Sequence, residues 1–230
     1  MEIHRADGRF RTASEWLDSR HSFSFGPHYD PANVGFGFLL AHNDETVAPG
    51  TGFGTHPHQD LEIVTWVLRG ALAHQDSQGN RGSVHPGLAQ RMSAGSGIQH
   101  SEWNDGAEPV HYVQMWVRPD RFDLPPSYEQ AELDLSTGEL VPVASGLAKH
   151  STSAAIRINQ PAAGMSVARL APGGAVTLPA APYLHVFLAT GTATLDGTEL
   201  GTADAVRLTD AGGRLTAGPD GAEALVWEMY

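Results

Sequence analysis

Cysteine is absent from the chain, which rules out disulfides and thiolate metal sites, so any metal must be held by imidazole and carboxylate. Cationic side chains are also few: 14 Lys and Arg stand against 26 Asp and Glu, a formal net charge of −12. That balance argues against nucleic acid or an anionic membrane surface as a direct partner, since both are recognised through basic faces. No run approaches the ~18 consecutive apolar residues of a membrane helix, and the opening "MEIHRADGRFRTASEWLDS" has no apolar core of signal-peptide length. A soluble, cytoplasmic protein is therefore expected, and a monomer.

What is present points to β-structure. The 230 residues are 41% hydrophobic, enough for a packed core, and 26 Gly and 15 Pro divide them into short segments. β-type runs occupy 34–42, 61–70, 110–117, 166–173, 185–195 and 223–229. Turn signals fall between them at 77–80, 195–200 and 210–214, the spacing of an all-β barrel or sandwich. Helical pattern is limited to "SEWLDS" (14–19), with Ser14 as N-cap, and "SYEQAELD" (127–134).

Prolines and charges cluster in "RPDRFDLPPSYEQ" (118–130), which reads as a boundary between an N-terminal domain, 1–120, and a C-terminal one, 121–230. The two halves share a faint repeat. "GFGTHPHQDLEIVTWVLRG" (52–70) aligns with "GGAVTLPAAPYLHVFLATG" (173–191), and "DGAEPVHYVQMW" (105–116) with "DGAEALVWEMY" (220–230). In the second copy Leu178 and Ala180 stand where the first has His56 and His58. That predicts a C-terminal barrel without a metal site and with an apolar interior, where the lone His185 cannot hold an ion by itself.

"THPHQDLEIVTW" (55–66) carries the chemistry. In an extended strand residues i and i+2 project from one face, so the imidazoles of His56 and His58 can reach a common point. "GIQHSEWN" (97–104) repeats the arrangement with His100 and Glu102. Together these supply three imidazoles and a carboxylate, a set that suits Fe(II), Mn, Ni, Cu or Zn alike. Asp60 and Glu62 share parity with His58, so Glu62 is a rival fourth ligand or a group that orients a ligating imidazole. His21, His42, His74 and His111 each stand alone and read as ordinary polar or partly buried side chains. "MSAGSGIQHSE" (92–102) has neither the phosphate-loop GxxxxGK[ST] nor a GxSxG nucleophile elbow.

These segments, with "HQDSQGN" (74–80), "RHSFSFGPHYDP" (20–31) and "NDETVAPGTGF" (43–53), closely resemble the pirin family of the cupin superfamily from about residue 18 to 120. The resemblance implies a bicupin, two antiparallel β-barrels side by side, the N-terminal one holding a single mononuclear metal, most often iron. It further implies His56, His58, His100 and Glu102 as the ligands, with Glu62 outside the metal's immediate shell. Known pirins include quercetin 2,3-dioxygenases and metal-dependent regulators that bind protein partners. The first activity would need a flavonol-like aromatic substrate and O₂. Glu102 is the candidate general base for it, since a carboxylate can ligate a metal and still take a proton, with Phe36, Phe38, Phe53 and Met92 as candidate pocket residues. The alternative is a non-enzymatic metal- or redox-sensing regulator that docks a protein; a non-redox cupin such as a sugar isomerase is a third reading.

Overall fold

The computed structural model describes residues 1–135 and 138–230. Apart from the 3₁₀ turns Ala6–Gly8 and Ala148–His150, the regular structure among these residues is β-strand. All strand pairings are antiparallel. The all-β expectation takes the form of open sheets, and no described sheet closes on itself. No described helix is long and apolar enough to cross a membrane.

Neither expected helix forms. Ser14 does accept backbone N–H groups, from Trp16 at 3.4 Å and Leu17 at 3.2 Å, but the chain then extends into the strand Leu17–His21. The other segment, Ser127–Glu132, pairs along its length with Leu88–Ser93, and Tyr128 donates from its hydroxyl to Gln90 at 2.7 Å. Local helical preference loses here to a sheet edge that offers a full ladder of partners. The 195–200 signal is a tight turn with Asp196 and Gly197 both at positive φ, 48° and 84°. By contrast 210–214 lies inside the strand Ala205–Met229, where Asp210 bends the chain at φ +50°.

The described residues form two compact units. One comprises 10–133 and 156–160, the other 1–9, 134–155 and 161–230. The chain thus does not divide at a single cut near 120. The strand Glu2–His4 pairs with Ala205–Met229, Ser127–Glu132 stays on the first unit's sheet, and Asn159 returns to bond Glu62.

In the first unit a seven-stranded and a four-stranded sheet sandwich an apolar core. Val47, Val67, Leu88, Val110 and Tyr112 come from the larger sheet, Leu72 and Val84 from the smaller. The second unit is built on a six-stranded sheet around Leu178, Leu184, Val186, Leu188, Val206, Leu215 and Val226. Its long strand Ala175–Leu195 is paired on both edges by the folded-back strand Ala205–Met229, with Val186 opposite both Val206 and Val226.

One contact in the first unit sets how closely its functional strands approach. A Cβ on Gly52 would lie 2.2 Å from the Glu102 carbonyl oxygen and 2.7 Å from the Trp103 Cα. Only a residue without a side chain allows Gly52–His58 and Ile98–Trp103 to pair there. Gly52→Ala is expected to destabilise the protein by about 1–3 kcal/mol, read as a lower urea midpoint; an unchanged midpoint would show that the strands part without cost.

Candidate metal centre

Three adjacent strands of the four-stranded sheet, Gly52–His58, Ile98–Trp103 and Leu72–Asp76, place the polar side chains. Register sets His56 against His100 and His100 against Asp76; one row on, Glu102 faces His74. Between His100 and Glu102 the pairing with the first strand slips by one residue, so Glu102 meets Phe53. Such a bulge re-aims side chains locally.

In space the members of each i, i+2 pair lie near one another. The His56, His58 and His100 rings lie with centroids 4.4–5.0 Å apart, and their ligand atoms fall within 4.8 Å of one another. Glu102 belongs to a second, overlapping group with His100 and His74, also within 4.8 Å. His56 donates from Nδ1 to the Gly54 carbonyl at 2.7 Å, which leaves its Nε2 as the bare nitrogen. The Nε2 atoms of His58 and His100 are buried and have no hydrogen-bond partner. Burial, aided by the neighbouring His56, holds His58 down at about 4 and places His100 well below the usual imidazole range. Neutral imidazoles with unpartnered nitrogens beside a carboxylate fit a divalent transition metal, and the donor set fits no single one in particular.

Glu102 is held from the opposite sheet. Gln114 donates from Nε2 to both carboxylate oxygens, at 2.8 and 2.9 Å, and accepts from the Trp116 indole at 3.0 Å. Trp116 meets the His58 ring edge-on at 4.9 Å. A cavity of about 410 Å³ opens over these groups, with Trp16, Phe25, Phe53 and Trp116 as its aromatic walls. That volume is in the range of small-molecule sites, about 300–1,000 Å³. Of the pocket residues expected from sequence, Phe53 lines the cavity. Met92 packs with Ile63, Ala94 and Ile98 instead, and Phe38 lies against the Arg118 guanidinium.

Glu62 is committed elsewhere. Its carboxylate accepts from the Ser93 hydroxyl at 2.8 Å and from the Asn159 backbone and side chain at 3.0 and 3.1 Å. Strand parity with His58 does not carry across, because Asp60 at φ +51° breaks the strand between them. His74, which reads from sequence as an ordinary lone histidine, joins His100 here, and Asp76, Gln114 and Trp116 were not singled out from sequence. The available signals were the i, i+2 spacing of His74 and Asp76, and a glutamine in the otherwise apolar "YVQMWV".

A cavity in the second unit adds polar groups beside its apolar core. About 250 Å³ in volume, it is lined by Thr177, Leu178 and Pro179 from the repeat and also by Lys149, His150 and Glu228. Lys149 and the Tyr230 hydroxyl bond the buried Glu228 carboxylate, and His150 approaches its other oxygen at 3.4 Å. His185 is fully buried on the strand Ala175–Leu195. Lys149→Met should cost about 1–2 kcal/mol in thermal unfolding, less than the 3–5 kcal/mol of a fully buried pair, because the lysine side chain is 47% exposed. No loss would show that Tyr230 and His150 suffice.

Burial raises the Glu102 carboxyl from 4.5 to about 7, against the opposing pull of Gln114. With the folded value above the unfolded one, its contribution to stability is intact below pH 4.5 and lost as pH rises through 7. In chelator-treated protein, Glu102→Gln should therefore be more stable than the parent at pH 8, by up to about 3 kcal/mol, and gain little near pH 4.5. Urea unfolding at both pH values checks this, and an equal gain at each would contradict it.

The sequence and fold have counterparts among known proteins. The family model described as Pirin matches residues 4–117. A Mycobacterium tuberculosis protein that carries quercetin 2,3-dioxygenase as a provisional name is 54% identical over 234 residues, covering all of this chain and 95% of its own length. An Escherichia coli K12 protein named quercetin 2,3-dioxygenase is 46% identical over 138 residues, 60% of each chain. The crystal structure of the bacterial pirin YhhW from Escherichia coli in complex with nickel(II) superposes with a TM-score of 0.90 at 32% identity, over 99% of this chain and 98% of that one. The chain belongs to the pirin family of cupin proteins.

Proposed function

We propose that the protein is a metal-dependent dioxygenase that opens flavonol-type rings with O₂, quercetin being the model substrate. The observation that carries the reading is the convergence of His56, His58 and His100 with two buried, unpartnered Nε2 atoms under an aromatic-walled cavity that Glu102 also lines. The names of the mycobacterial and Escherichia coli relatives support the same activity. One divalent ion per chain, Fe(II) first, would be held by His56, His58 and His100, with Glu102 as the fourth group. Bound there, it supplies Lewis-acid and redox chemistry.

The chain's own residues do the rest. Trp16, Phe25, Phe53 and Trp116 offer flat apolar faces for a fused aromatic ring system and keep water from it. Glu102 accepts the proton of the substrate hydroxyl, and Gln114 holds the carboxylate in place for that transfer. Because Trp116 bonds Gln114 and abuts His58, it ties the cavity wall to the polar groups.

Protein purified without a metal-affinity column should contain about one transition-metal ion per chain, and His100→Ala should lose it. Oxygen uptake with quercetin should follow reconstitution with Fe(II), Mn, Ni or Cu in at least one case. Metal bound at one per chain without turnover would favour the regulator that binds a protein partner. Two tightly bound ions would overturn the single-site assignment.

A further inference from the structure

The turn motif "HQDSQGN" (74–80) takes no part in the proposed chemistry, yet its first residue touches the centre. His74 Nδ1 lies 3.4 Å from His100 Nδ1, and His74 Nε2 lies 3.4 Å from Asp76 Oδ2. Both the His74 and Asp76 side chains are fully buried. Two imidazole nitrogens that face each other must be one donor and one acceptor. The Asp76 carboxylate can only accept from His74 Nε2–H, and a neutral His74 then has a bare Nδ1. His100 must therefore carry its hydrogen on Nδ1, so its Nε2 holds the lone pair, and that Nε2 is buried without a partner.

Asp76 is itself immobilised. Its Oδ1 accepts from the backbone N–H groups of Gln78 at 2.9 Å and Asn80 at 3.0 Å, and the Asn80 side chain reaches both carboxylate oxygens. Gly79, at φ +89°, lets the chain turn tightly enough for these bonds. On its face, the His74 ring stacks on Tyr128 at 4.8 Å and 18°. We propose that His74 is a positioning residue: held by Asp76 and Tyr128, it accepts the Nδ1–H of His100 and so keeps the His100 Nε2 lone pair on the metal position. The proposal rests on His100 being a ligand. It also decides the role of the second converging group, His74 with His100 and Glu102: with both ring nitrogens engaged, His74 has none left for an ion, unlike His58 and His100.

Carboxylate-anchored partners of ligating histidines typically change metal affinity about 10–100-fold when removed. In competition with a chelator, His74→Phe should bind Zn(II) about 10–100-fold more weakly than the parent, since phenylalanine keeps the stack on Tyr128 and lacks the acceptor. His74→Asn, whose side-chain oxygen can take the place of Nδ1, should recover part of the loss. Undiminished affinity in His74→Phe overturns the proposal, as does equal loss in both variants. Long-range ¹H–¹⁵N spectra of histidine-labelled protein supply the second arm. Expected, with or without Zn(II), are Nδ1–H on His100 and Nε2–H on His74; the opposite tautomers, or Zn(II) on a His74 nitrogen, overturn it. If the parent takes up no ion, the metal reading fails, and the tautomers of the metal-free protein still decide the relay.

Discussion

The close antiparallel contact between Gly52–His58 and Ile98–Trp103 is the constraint on which the N-terminal unit's chemistry depends. Gly52 permits the approach, and the pairing that follows puts His56 directly across from His100. Cross-strand neighbours in an antiparallel pair have Cβ atoms about 4.5–5.5 Å apart, close enough for two imidazoles to converge without any loop to carry them. The slip between His100 and Glu102 then changes where the carboxylate stands relative to the first strand. A site built on paired strands is stiffer than one built on loops, which suits groups whose buried nitrogens must stay in place.

Each unit has a cavity that meets a buried carboxylate, and the two balance that charge differently. In the first, Gln114 and Trp116 follow a "DGAE" segment and hold Glu102; in the second, Glu228 and Tyr230 follow another and line the cavity wall or bond within it. A carboxylate removed from water requires a compensating charge or a full set of hydrogen bonds. In the second unit Lys149 provides the charge from within the chain, and the cluster is closed. The first leaves the Nε2 atoms of His58 and His100 unsatisfied, which is why an ion is proposed there and not in the second. Leu178 at the position of His56 fits the same division, since an apolar wall cannot supply a donor.

Much of this could be read along the chain because the signals are local. Strand parity brings His56 with His58, and His100 with Glu102, onto common faces whatever the fold around them, and turn-punctuated β runs determine the all-β class. Where a property depended on distant partners, sequence reasoning failed. Ser127–Glu132 looked helical until Leu88–Ser93 offered it a ladder, and Glu62 kept formal parity with His58 across a break at Asp60 that periodicity does not register. His74 looked solitary because its partner His100 is 26 residues away in sequence. Gln114 reaches Glu102 only because two separate sheets pack face to face. The sequence by itself determined which donors were available and how they were spaced along each strand. Tertiary structure alone decided which donors meet, because strand register and sheet packing are set by the whole core and not by any one segment.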